Sequence, residues 1–373
     1  MTTADPMDVI VRPPPSLAAA EALEIAATHF GLPAVEARPL VSERDQNFRL
    51  RTAGGEEYVL KIANAAEDPA VTGFQVQALR HIAATREPCP PVPRVMPTVS
   101  GASSFMLRHD GDEHVVRLVT YLPGRPLADG GVNPVLSRAL GVALAQLGRA
   151  LKGFDHPQPA QTLLWDMKQA GRARTLLPEV PDDALRGLLA DCLDDFEARA
   201  LPRFGTLRSQ VIHSDLHSDN VLVDVREPDR VAGIIDFGDM QRSPLIVDVA
   251  VACAYLRRDD GDPLALIAEF VAGYHSVTAL TLEEIDLLRD LIATRLATTL
   301  LILAWRMARR TGDDPYLDES LAGEQAAGPF LKRLREMPRE LVARRLREVC
   351  ASVTEQAGQR APSRYDRPSP TGC

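Results

Sequence analysis

The first third of the chain carries short apolar runs of the kind that form strands, and the rest carries apolar residues at helical spacing. In the first third, Gly54-Gly55 and Asp110-Gly111 are turn signals that separate antiparallel strands. The predicted strands are two within 39–51, one at 58–62, one at 103–108 and one at 115–121. Two helices are predicted among them, from Ser16 to Gly31 and from Pro69 to Thr85.

The remaining two thirds of the chain are predicted to be almost entirely helical. The predicted helices are 133–154, 182–201, 244–256, 263–277, 281–310 and 329–353. One stretch departs from this pattern, because 221–223 and 231–235 are β-branched apolar runs that read as the two strands of a short hairpin. Strands first and helices afterwards indicate an α+β fold.

The predicted hairpin gathers four polar residues. A polar loop with His213, Asp215 and Asn220 precedes the first strand, and Asp236 follows the second strand in the sequence D-F-G. Because the two strands lie side by side, these four side chains are expected to lie close together at one end of the hairpin. His213 is predicted to brace the loop rather than to carry a proton.

These residue types are the ones that phosphoryl transfer requires. A nucleoside triphosphate binds with Mg²⁺, which takes oxygen ligands from one or two protein side chains, from phosphate and from water. Asp236 and Asn220 are the predicted Mg²⁺ ligands, and Asp215 is predicted to orient and deprotonate an acceptor hydroxyl. An Asp-Phe-Gly tripeptide alone would more simply be a turn, so the prediction rests on the whole set and its spacing.

The spacing H-x-D-x-x-x-x-N, followed by D-F-G, resembles the catalytic half of the protein-kinase signature. The stretch is more similar to the aminoglycoside phosphotransferase and choline kinase superfamily, since His217 stands where many protein kinases have a lysine. The resemblance implies a protein-kinase-like two-lobe fold, with a small antiparallel β-sheet N-lobe and a mainly helical C-lobe. It also implies that His217 lies near the γ-phosphate or the acceptor.

Part of a nucleotide site is present in the N-terminal half. Lys61 in V-L-K-I resembles the V-A-I-K lysine that reaches the α- and β-phosphates. The alternative is an edge-strand lysine that points into water. The sequence S-E-R-D-Q-N-F has no glycine-rich loop, but it offers Ser42, Asn47 and backbone N–H groups to the phosphates.

Two further nucleotide-binding assignments follow from the resemblance. Gln75 stands where the family places a glutamate that pairs with the lysine, and its amide can hydrogen-bond Lys61 but cannot neutralise it. Thr120 and Leu122 lie in T-Y-L-P-G-R-P-L, which resembles the linker whose backbone binds the purine edge. A plain strand-to-loop exit is the alternative for this segment.

The candidate acceptor contacts are Trp165, Asp166 and Asp239. Trp165 and Asp166 open a predicted helix, where Asp166 could face a substrate amine; a core tryptophan and a helix cap are the alternative. Arg295 lies on a predicted helix and is expected to pack in the core rather than face the acceptor. Asp248, a lone acid in an apolar run, is predicted to accept backbone N–H groups from the catalytic loop.

Composition narrows the class of partner and the compartment. A net charge of −9 argues against nucleic acid and weakly suits a cationic substrate. Five scattered cysteines without a C-x-x-C pair argue against a disulfide framework or a zinc site and fit a reducing cytoplasm. No apolar stretch is long enough to span a membrane, and the N-terminus lacks the pattern of a signal peptide. A cytoplasmic monomer or homodimer is expected.

Four regions are predicted along the chain. They are a flexible N-terminus at 1–15, a nucleotide-binding N-lobe at 16–122, a C-lobe for catalysis and acceptor binding at 123–353, and a disordered tail at 354–373. The resemblance covers about residues 20–350.

Four segments indicate which branch of the superfamily the chain resembles most. They are S-E-R-D-Q-N-F, Y-V-L-K-I-A-N-A, L-L-W-D-M-K and D-F-G-D-M-Q-R-S-P-L-I-V-D-V-A-V-A. Together they look like the hydroxylysine-kinase-like branch of the aminoglycoside phosphotransferase family. This implies transfer of the γ-phosphoryl group of ATP or GTP, with Mg²⁺, to a small acceptor that carries a hydroxyl and an amine.

Two other functions stay open at this point. An aminoglycoside O-phosphotransferase needs several carboxylates for a polycationic acceptor, and Asp166, Asp239, Asp259 and Asp260 are the candidates. A nucleotide-binding pseudokinase that acts as an interaction module is favoured slightly by Gln75 and by the missing glycine-rich loop. The intact set of acids and amide in the catalytic stretch argues against it, because a binding module needs no base.

Overall fold

The N-terminal part of the chain folds into an antiparallel sheet. The structure is a computed structural model and describes residues 12–156, 165–258 and 260–360. The six strands are β1 Ala34–Leu40, β2 Gln46–Thr52, β3 Glu57–Ile62, β4 Val95–Met96, β5 Phe105–His109 and β6 Asp112–Thr120. Their order is β1-β2-β3-β6-β4, with β5 also paired to β6, and every pairing is antiparallel. The predicted sheet is confirmed, although β1 begins at Ala34 rather than at 39.

Two helices accompany this sheet, as predicted. α1 Ala19–Phe30 ends at Gly31, whose φ of 62° is the left-handed conformation that glycine adopts without strain. α1 packs on the sheet through a small apolar core. The core residues are Leu17, Ala22, Ile25, Ala26, Phe48, Leu50, Leu60, Ile62, Val116 and Leu118. α2 Pro69–Ala84 is capped by Asp68 and instead contributes Phe74 and its neighbours to the larger core of the molecule.

The rest of the chain is mainly helical, as predicted. The helices are α3 Pro134–Ala150, α4 Asp183–Asp195, α5 Leu245–Ala254, α6 Ala265–Val277, α7 Leu282–Ala308, α8 Pro315–Gly323, α9 Ala327–Glu336 and α10 Arg339–Arg360. The short strands are β7 Arg125–Pro126, β8 Ser209–Ile212, β9 Val221–Val223, β10 Val231–Ile234 and β11 Gln241–Pro244. β9 and β10 form the predicted hairpin, β7 adds to it, and β8 pairs with β11. Across the described residues, no helix combines the length and apolar character needed to cross a membrane.

The helix predictions differ from the structure in three places. Met167–Glu179 is a 3₁₀ helix rather than an α-helix that opens at Trp165. The single helix predicted over 329–353 is two helices, because Pro338 disfavours the helical conformation at Met337, whose ψ is 129°. α8 has no counterpart among the predicted helices.

The N-terminal segment 1–15 and the C-terminal tail 354–373 are predicted to lack structure, but the parts of both that the structure describes are ordered. α10 continues to Arg360, so 354–360 is helical, and 361–373 lies outside the described residues. At the other end, Asn64 Nδ2 donates to the carbonyl oxygens of Arg12 and Pro13 at 3.1 and 3.4 Å. The predicted flexible N-terminus is therefore tied down at these two residues, and 1–11 lies outside the described residues.

α3 and α6 cross at two glycines. A Cβ on Gly141 of α3 would lie 2.0 Å from the carbonyl oxygen of Phe270, and a Cβ on Gly273 of α6 would lie 2.0 Å from that of Arg138. Because no real Cβ comes so close to an oxygen, the two backbones approach to a distance that only glycine permits.

Gly141→Ala is expected to lower the free energy of unfolding by about 2–3 kcal/mol, because the new methyl group must push α3 away from α6. Gly148→Ala, on the same helix, is the matched control, since its Cβ would meet only Gln210 Nε2 at 3.8 Å. The control should gain up to about 1 kcal/mol of helix propensity. Urea unfolding measures both variants, and equal stability would show that the crossing is not tight.

Candidate active site

The loop between β8 and β9 carries the predicted catalytic residues, and Asp248 holds its first part. The Asp248 carboxylate, at the start of α5, accepts the backbone N–H groups of His213 and Ser214 at 3.3 and 2.8 Å. Ser214 has a φ of 68°, which is unusual for a residue with a side chain. Burial raises the pKa of Asp248, and the two N–H groups work against this rise. The predicted brace is confirmed.

His213 links this loop to the end of β10. It is fully buried. Its Nε2 lies 3.1 Å from the Ile235 carbonyl oxygen, and its Nδ1 accepts the Asp215 N–H at 3.3 Å. The ring also makes an edge contact with Phe237, with 4.9 Å between the ring centroids. Since both nitrogens are used inside the protein, His213 is a brace, as predicted, and it fixes the loop relative to Asp236.

Asp215 lies at the centre of a charged network. Asn220 Nδ2 donates to Asp215 Oδ2 at 2.9 Å, and His217 Nε2 lies 3.3 Å from the same oxygen. Arg295 Nη2, from α7, donates to Oδ1 at 3.0 Å. Burial alone would raise the pKa of Asp215, but His217 and Arg295 outweigh burial and hold this pKa well below its usual value. The carboxylate is therefore ionised at neutral pH.

His217 is the cationic partner of this carboxylate. Its second nitrogen, Nδ1, lies 3.2 Å from Asp219 Oδ2, so the ring lies between two carboxylates. Burial would lower the pKa of His217, yet the charge of Asp215 and hydrogen bonds to both acids raise it well above the ordinary value. Both ring nitrogens thus face carboxylates, and a place of His217 near the γ-phosphate or the acceptor stays a prediction.

Lys61 faces the D-F-G segment. It lies on β3, which is an inner strand between β2 and β6, so the alternative of an edge-strand lysine is wrong. Its Nζ lies 3.7 Å from Asp236 Oδ2. Asp236 has a φ of 55° and its Oδ1 accepts the Gly238 N–H at 3.0 Å. Lys61 is the main reason that the pKa of Asp236 is lowered.

Asn220 and Asp236 fit the predicted metal site. Asn220 uses Nδ2 for both of its hydrogen bonds to Asp215, which directs its Oδ1 elsewhere. The Asp236 side chain is 46% exposed at the mouth of the cleft, beside Lys61. No group of three or more His, Cys, Asp or Glu side chains among the described residues is arranged to hold a metal ion. A site of one carboxylate and one amide suits a cation that also binds phosphate oxygens.

Gln75 is not in the position predicted for it. Its Oε1 accepts from Arg117 Nη2 at 2.5 Å, and its Nε2 donates to the Gly238 carbonyl oxygen at 3.4 Å. Arg117 is the cross-strand neighbour of Lys61 on β6. The neutral amide can accept from an arginine and donate to a carbonyl at once, which a glutamate could not. Gln75 therefore joins α2 to the D-F-G segment, whereas the ion-pair partner of Lys61 is Asp236.

The loop between β1 and β2, residues 41–45, is anchored across the cleft by two ion pairs. Glu43 Oε1 lies 2.8 Å from Arg306 Nη1 on α7, and Arg44 Nη2 lies 2.6 Å from Asp239 Oδ1. Burial raises the pKa of both acids. Sequence reasoning missed this pairing, because partners that are 263 and 195 residues apart leave no local pattern.

The two residues predicted to bind phosphate through this loop differ in exposure. Ser42 is half-buried in the loop. Asn47, on β2, is 7% exposed, and its buried Oδ1 has no hydrogen-bond partner in the part of the chain that the structure describes. An unpaired buried amide oxygen is unfavourable, so Asn47 is a better candidate for a ligand contact than for a filler of the sheet.

The linker after β6 rests on the β9–β10 hairpin. Thr120 has its N–H and its hydroxyl engaged by the Arg94 backbone at 2.9 and 3.0 Å. Leu122 packs against Gly233, where a Cβ would lie 2.8 Å from Leu122 Cδ1. Within the described ranges, the Leu122 backbone makes no hydrogen bond, so it is the better candidate to meet a purine edge.

Of the predicted acceptor contacts, Asp166 has a structural role, whereas Trp165 lies beside a residue of the active site. Asp166 is 3% exposed, caps the following turn through the Lys168 N–H at 2.9 Å, and lies 2.7 Å from the Gln241 amide. Burial is the main reason that its pKa is raised. The cap alternative is thus borne out for Asp166. Trp165 instead stacks on Arg295, with 5.3 Å from the ring centroid to the guanidinium carbon.

Arg295 is the site residue that sequence reasoning misplaced. It is buried, as expected, but it contacts Asp215 rather than packing only against apolar side chains. The sequence explains the error, since Arg295 lies within an otherwise uncharged stretch of α7 and its partner is 80 residues away.

Comparison with known proteins identifies the family. The family model described as "Phosphotransferase enzyme family" (APH) matches residues 36–288. Hydroxylysine kinase from Mus musculus is 27% identical over 326 residues, which cover 81% of this chain and 86% of that protein. Homoserine kinase from Methylobacillus flagellatus is 28% identical over 243 residues, which cover 64% and 69%. The structure of a microcompartment-associated aminopropanol kinase has a TM-score of 0.67 at 20% identity, over 84% of this chain and 97% of that chain.

The chain belongs to the APH phosphotransferase family, since the family match spans more than half of its length. Its α+β architecture is the protein-kinase-like fold of this family, as the sequence predicted. The protein is a kinase that transfers a phosphoryl group to the hydroxyl of a small molecule and binds a nucleoside triphosphate with a divalent metal.

Asp236→Asn is expected to remove the metal-dependent part of the rise in melting temperature that a nucleoside triphosphate causes, because an amide binds a divalent cation less well than a carboxylate. The loss of charge stabilisation should also lower kcat by at least about 100-fold. Asp224→Asn is the matched control, since Asp224 pairs with Arg230 in the turn of the β9–β10 hairpin. Melting curves with and without metal measure the effect, and an unchanged shift would remove Asp236 from the metal site.

Proposed function

We propose that the protein transfers the γ-phosphoryl group of ATP or GTP, with Mg²⁺, to the hydroxyl of a small amine-bearing acceptor similar to hydroxylysine. The observation that carries the proposal is the ionised Asp215, held 3.0 Å from Arg295 and 2.9 Å from Asn220 on the loop that faces Asp236. The likeness to hydroxylysine and homoserine kinases supports an acceptor of this size.

The proposed reaction forms a bond between the acceptor oxygen and the γ-phosphorus while the bond to the leaving nucleoside diphosphate breaks. The acceptor proton passes to Asp215. Because the pKa of Asp215 is low, Asp215 is a weak base, and its main role is to orient the hydroxyl. A weak base is sufficient, since the transition state is loose and the acceptor loses its proton late.

The remaining residues of the site bind and position the nucleotide. Lys61 reaches the α- and β-phosphates, and His217 lies near the γ-phosphate or the acceptor. Asn220 and Asp236 hold Mg²⁺, which neutralises charge that develops on the phosphate oxygens. Leu122 and Thr120 border the purine, and the loop 41–45 with Asn47 covers the phosphates.

The charges around the cleft favour a small acceptor over an aminoglycoside. The candidate acids near the site are paired, with Asp166 3.6 Å from Lys168, Asp239 2.6 Å from Arg44 and Glu43 2.8 Å from Arg306. Asp260 is exposed and lies 3.4 Å from Arg258, and Asp259 lies outside the described residues. A polycationic acceptor needs several free carboxylates, whereas Asp166, Asp239 and Glu43 are already paired with cations of the protein.

Several expectations remain part of this proposal. We divide the chain into a nucleotide-binding lobe at 16–122 and a lobe for catalysis and acceptor binding at 123–353. A cytoplasmic location and a monomeric or homodimeric state stay predictions. The pseudokinase alternative is disfavoured, because a nucleotide-binding module has no need of an acid that is kept ionised beside the metal ligands.

The experiment that tests the proposal is a coupled assay of nucleoside diphosphate release. It uses ATP and GTP separately, with Mg²⁺, against 5-hydroxylysine, homoserine, ethanolamine, choline and kanamycin. Turnover of a small amino alcohol supports the proposal and identifies the donor. Turnover with kanamycin alone would make the aminoglycoside alternative correct, and nucleotide binding without any turnover would point to an acceptor of another class.

Asp215→Asn is expected to lower kcat by roughly 10²- to 10⁴-fold, because the acceptor hydroxyl loses the group that orients it and takes its proton. This corresponds to about 3–5 kcal/mol of barrier. Nucleotide-induced thermal stabilisation should persist, which separates a catalytic defect from unfolding. Near-normal turnover of the variant would exclude Asp215 from the mechanism.

A further inference from the structure

Arg295 is a buried cation placed directly beside the catalytic carboxylate. It lies in the middle of α7, and its side chain is only 3% exposed. Nη2 donates to Asp215 Oδ1 at 3.0 Å and to the Tyr255 hydroxyl at 3.2 Å, and Nη1 donates to the Trp165 carbonyl oxygen at 3.4 Å. The guanidinium carbon lies 5.3 and 5.8 Å from the ring centroids of Trp165 and Tyr255.

These contacts leave the guanidinium incompletely satisfied. A guanidinium has five N–H donors in a planar fork. The Nε of Arg295 is buried and has no hydrogen-bond partner within the described residues. Its nearest acid, Asp215, is shared with His217 and Asn220, so it does not neutralise Arg295 alone. A buried donor without an acceptor is costly, which points to a ligand that supplies the missing acceptor.

The neighbours of Arg295 limit the chemistry of that ligand. Nη1 and Nη2 already have acceptors, so the unpaired Nε can donate one further hydrogen bond, and an anionic oxygen is the acceptor that best suits a buried cation. The triphosphate has a cation of its own in Lys61, which lies beside Asp236 rather than beside Asp215. A second anion next to Asp215 must therefore belong to the molecule whose hydroxyl Asp215 orients.

We propose that Arg295 binds a carboxylate of the acceptor, so that the acceptor is a hydroxy amino acid rather than a carboxylate-free amino alcohol. This inference rests on the proposed function, and it adds the group that the site recognises. Arg295 then bridges two carboxylates, that of Asp215 and that of the acceptor. The acceptor hydroxyl is thereby held next to the oxygen that receives its proton.

The test compares acceptors that differ only in the carboxylate. The pairs are homoserine with homoserinamide, and 5-hydroxylysine with its primary carboxamide. The unsubstituted protein should prefer the free acid by about 10- to 100-fold in kcat/KM, the range expected when a hydrogen bond to a charged group is lost. Arg295→Lys keeps the charge and removes the fork, and it should reduce this preference to within about 3-fold.

Arg289→Lys is the matched control on the same helix. Arg289 is also buried, and it donates to Asp290 and to the Met337 and Arg335 carbonyl oxygens, away from Asp215. This variant should lose stability without a change in the preference for the free acid. If Arg295 only positioned Asp215, Arg295→Lys would lower turnover of the acid and the amide equally and leave their ratio unchanged.

The outcomes separate the inference from the proposed function. Turnover of the amides as fast as the acids by the unsubstituted protein would overturn the carboxylate assignment while the kinase proposal stands. This arm does not require Arg295→Lys to fold. Turnover of none of the four compounds, with nucleotide still bound, would overturn the small-acceptor proposal and the inference with it.

Discussion

The active site depends on one electrostatic arrangement: a carboxylate that is largely removed from water and yet kept ionised. Asp215 retains its charge because His217 and Arg295 lie at 3.3 and 3.0 Å from its two oxygens. Without both cations, burial would favour the neutral acid, which cannot accept a proton from an alcohol. The fold must therefore bring a loop histidine and an arginine from a distant helix to the same carboxylate.

The scaffold meets this requirement with buried supports that take no part in the reaction. Asp248 binds the N–H groups of His213 and Ser214, and His213 spans from the catalytic loop to the end of β10. These contacts hold the loop and the D-F-G segment as one unit, which fixes Asn220 relative to Asp236, the two residues proposed to hold the metal. Positioning of this kind supplies much of the barrier reduction in phosphoryl transfer.

The sequence predicted the parts of the molecule that are encoded locally. The antiparallel strands, the β9–β10 hairpin and the D-F-G segment follow from period-two patterning, turn residues and motif spacing, and the brace by Asp248 follows from an acid in an apolar run. The parts that failed depend on long-range contacts. Arg295 looked like a core residue because its partner lies 80 positions away, and Gln75 looked like the partner of Lys61 because its actual partner, Arg117, lies 42 positions away on the adjoining strand.

Two ion pairs hold the loop 41–45 against the C-terminal part of the chain, so the position of this loop depends on charge. Glu43 and Arg44 bind Arg306 and Asp239, so a movement of this loop away from the C-terminal helices would separate two ion pairs and hydrate four charged groups. Once apart, these groups attract each other only over a Debye length, about 8 Å at physiological ionic strength. Dissolved salt thus acts mainly on the open form and slows reclosing, whereas the shut form is shielded from it. If the loop covers the nucleotide as proposed, we expect the release of the nucleotide to depend on ionic strength even where the chemical step does not.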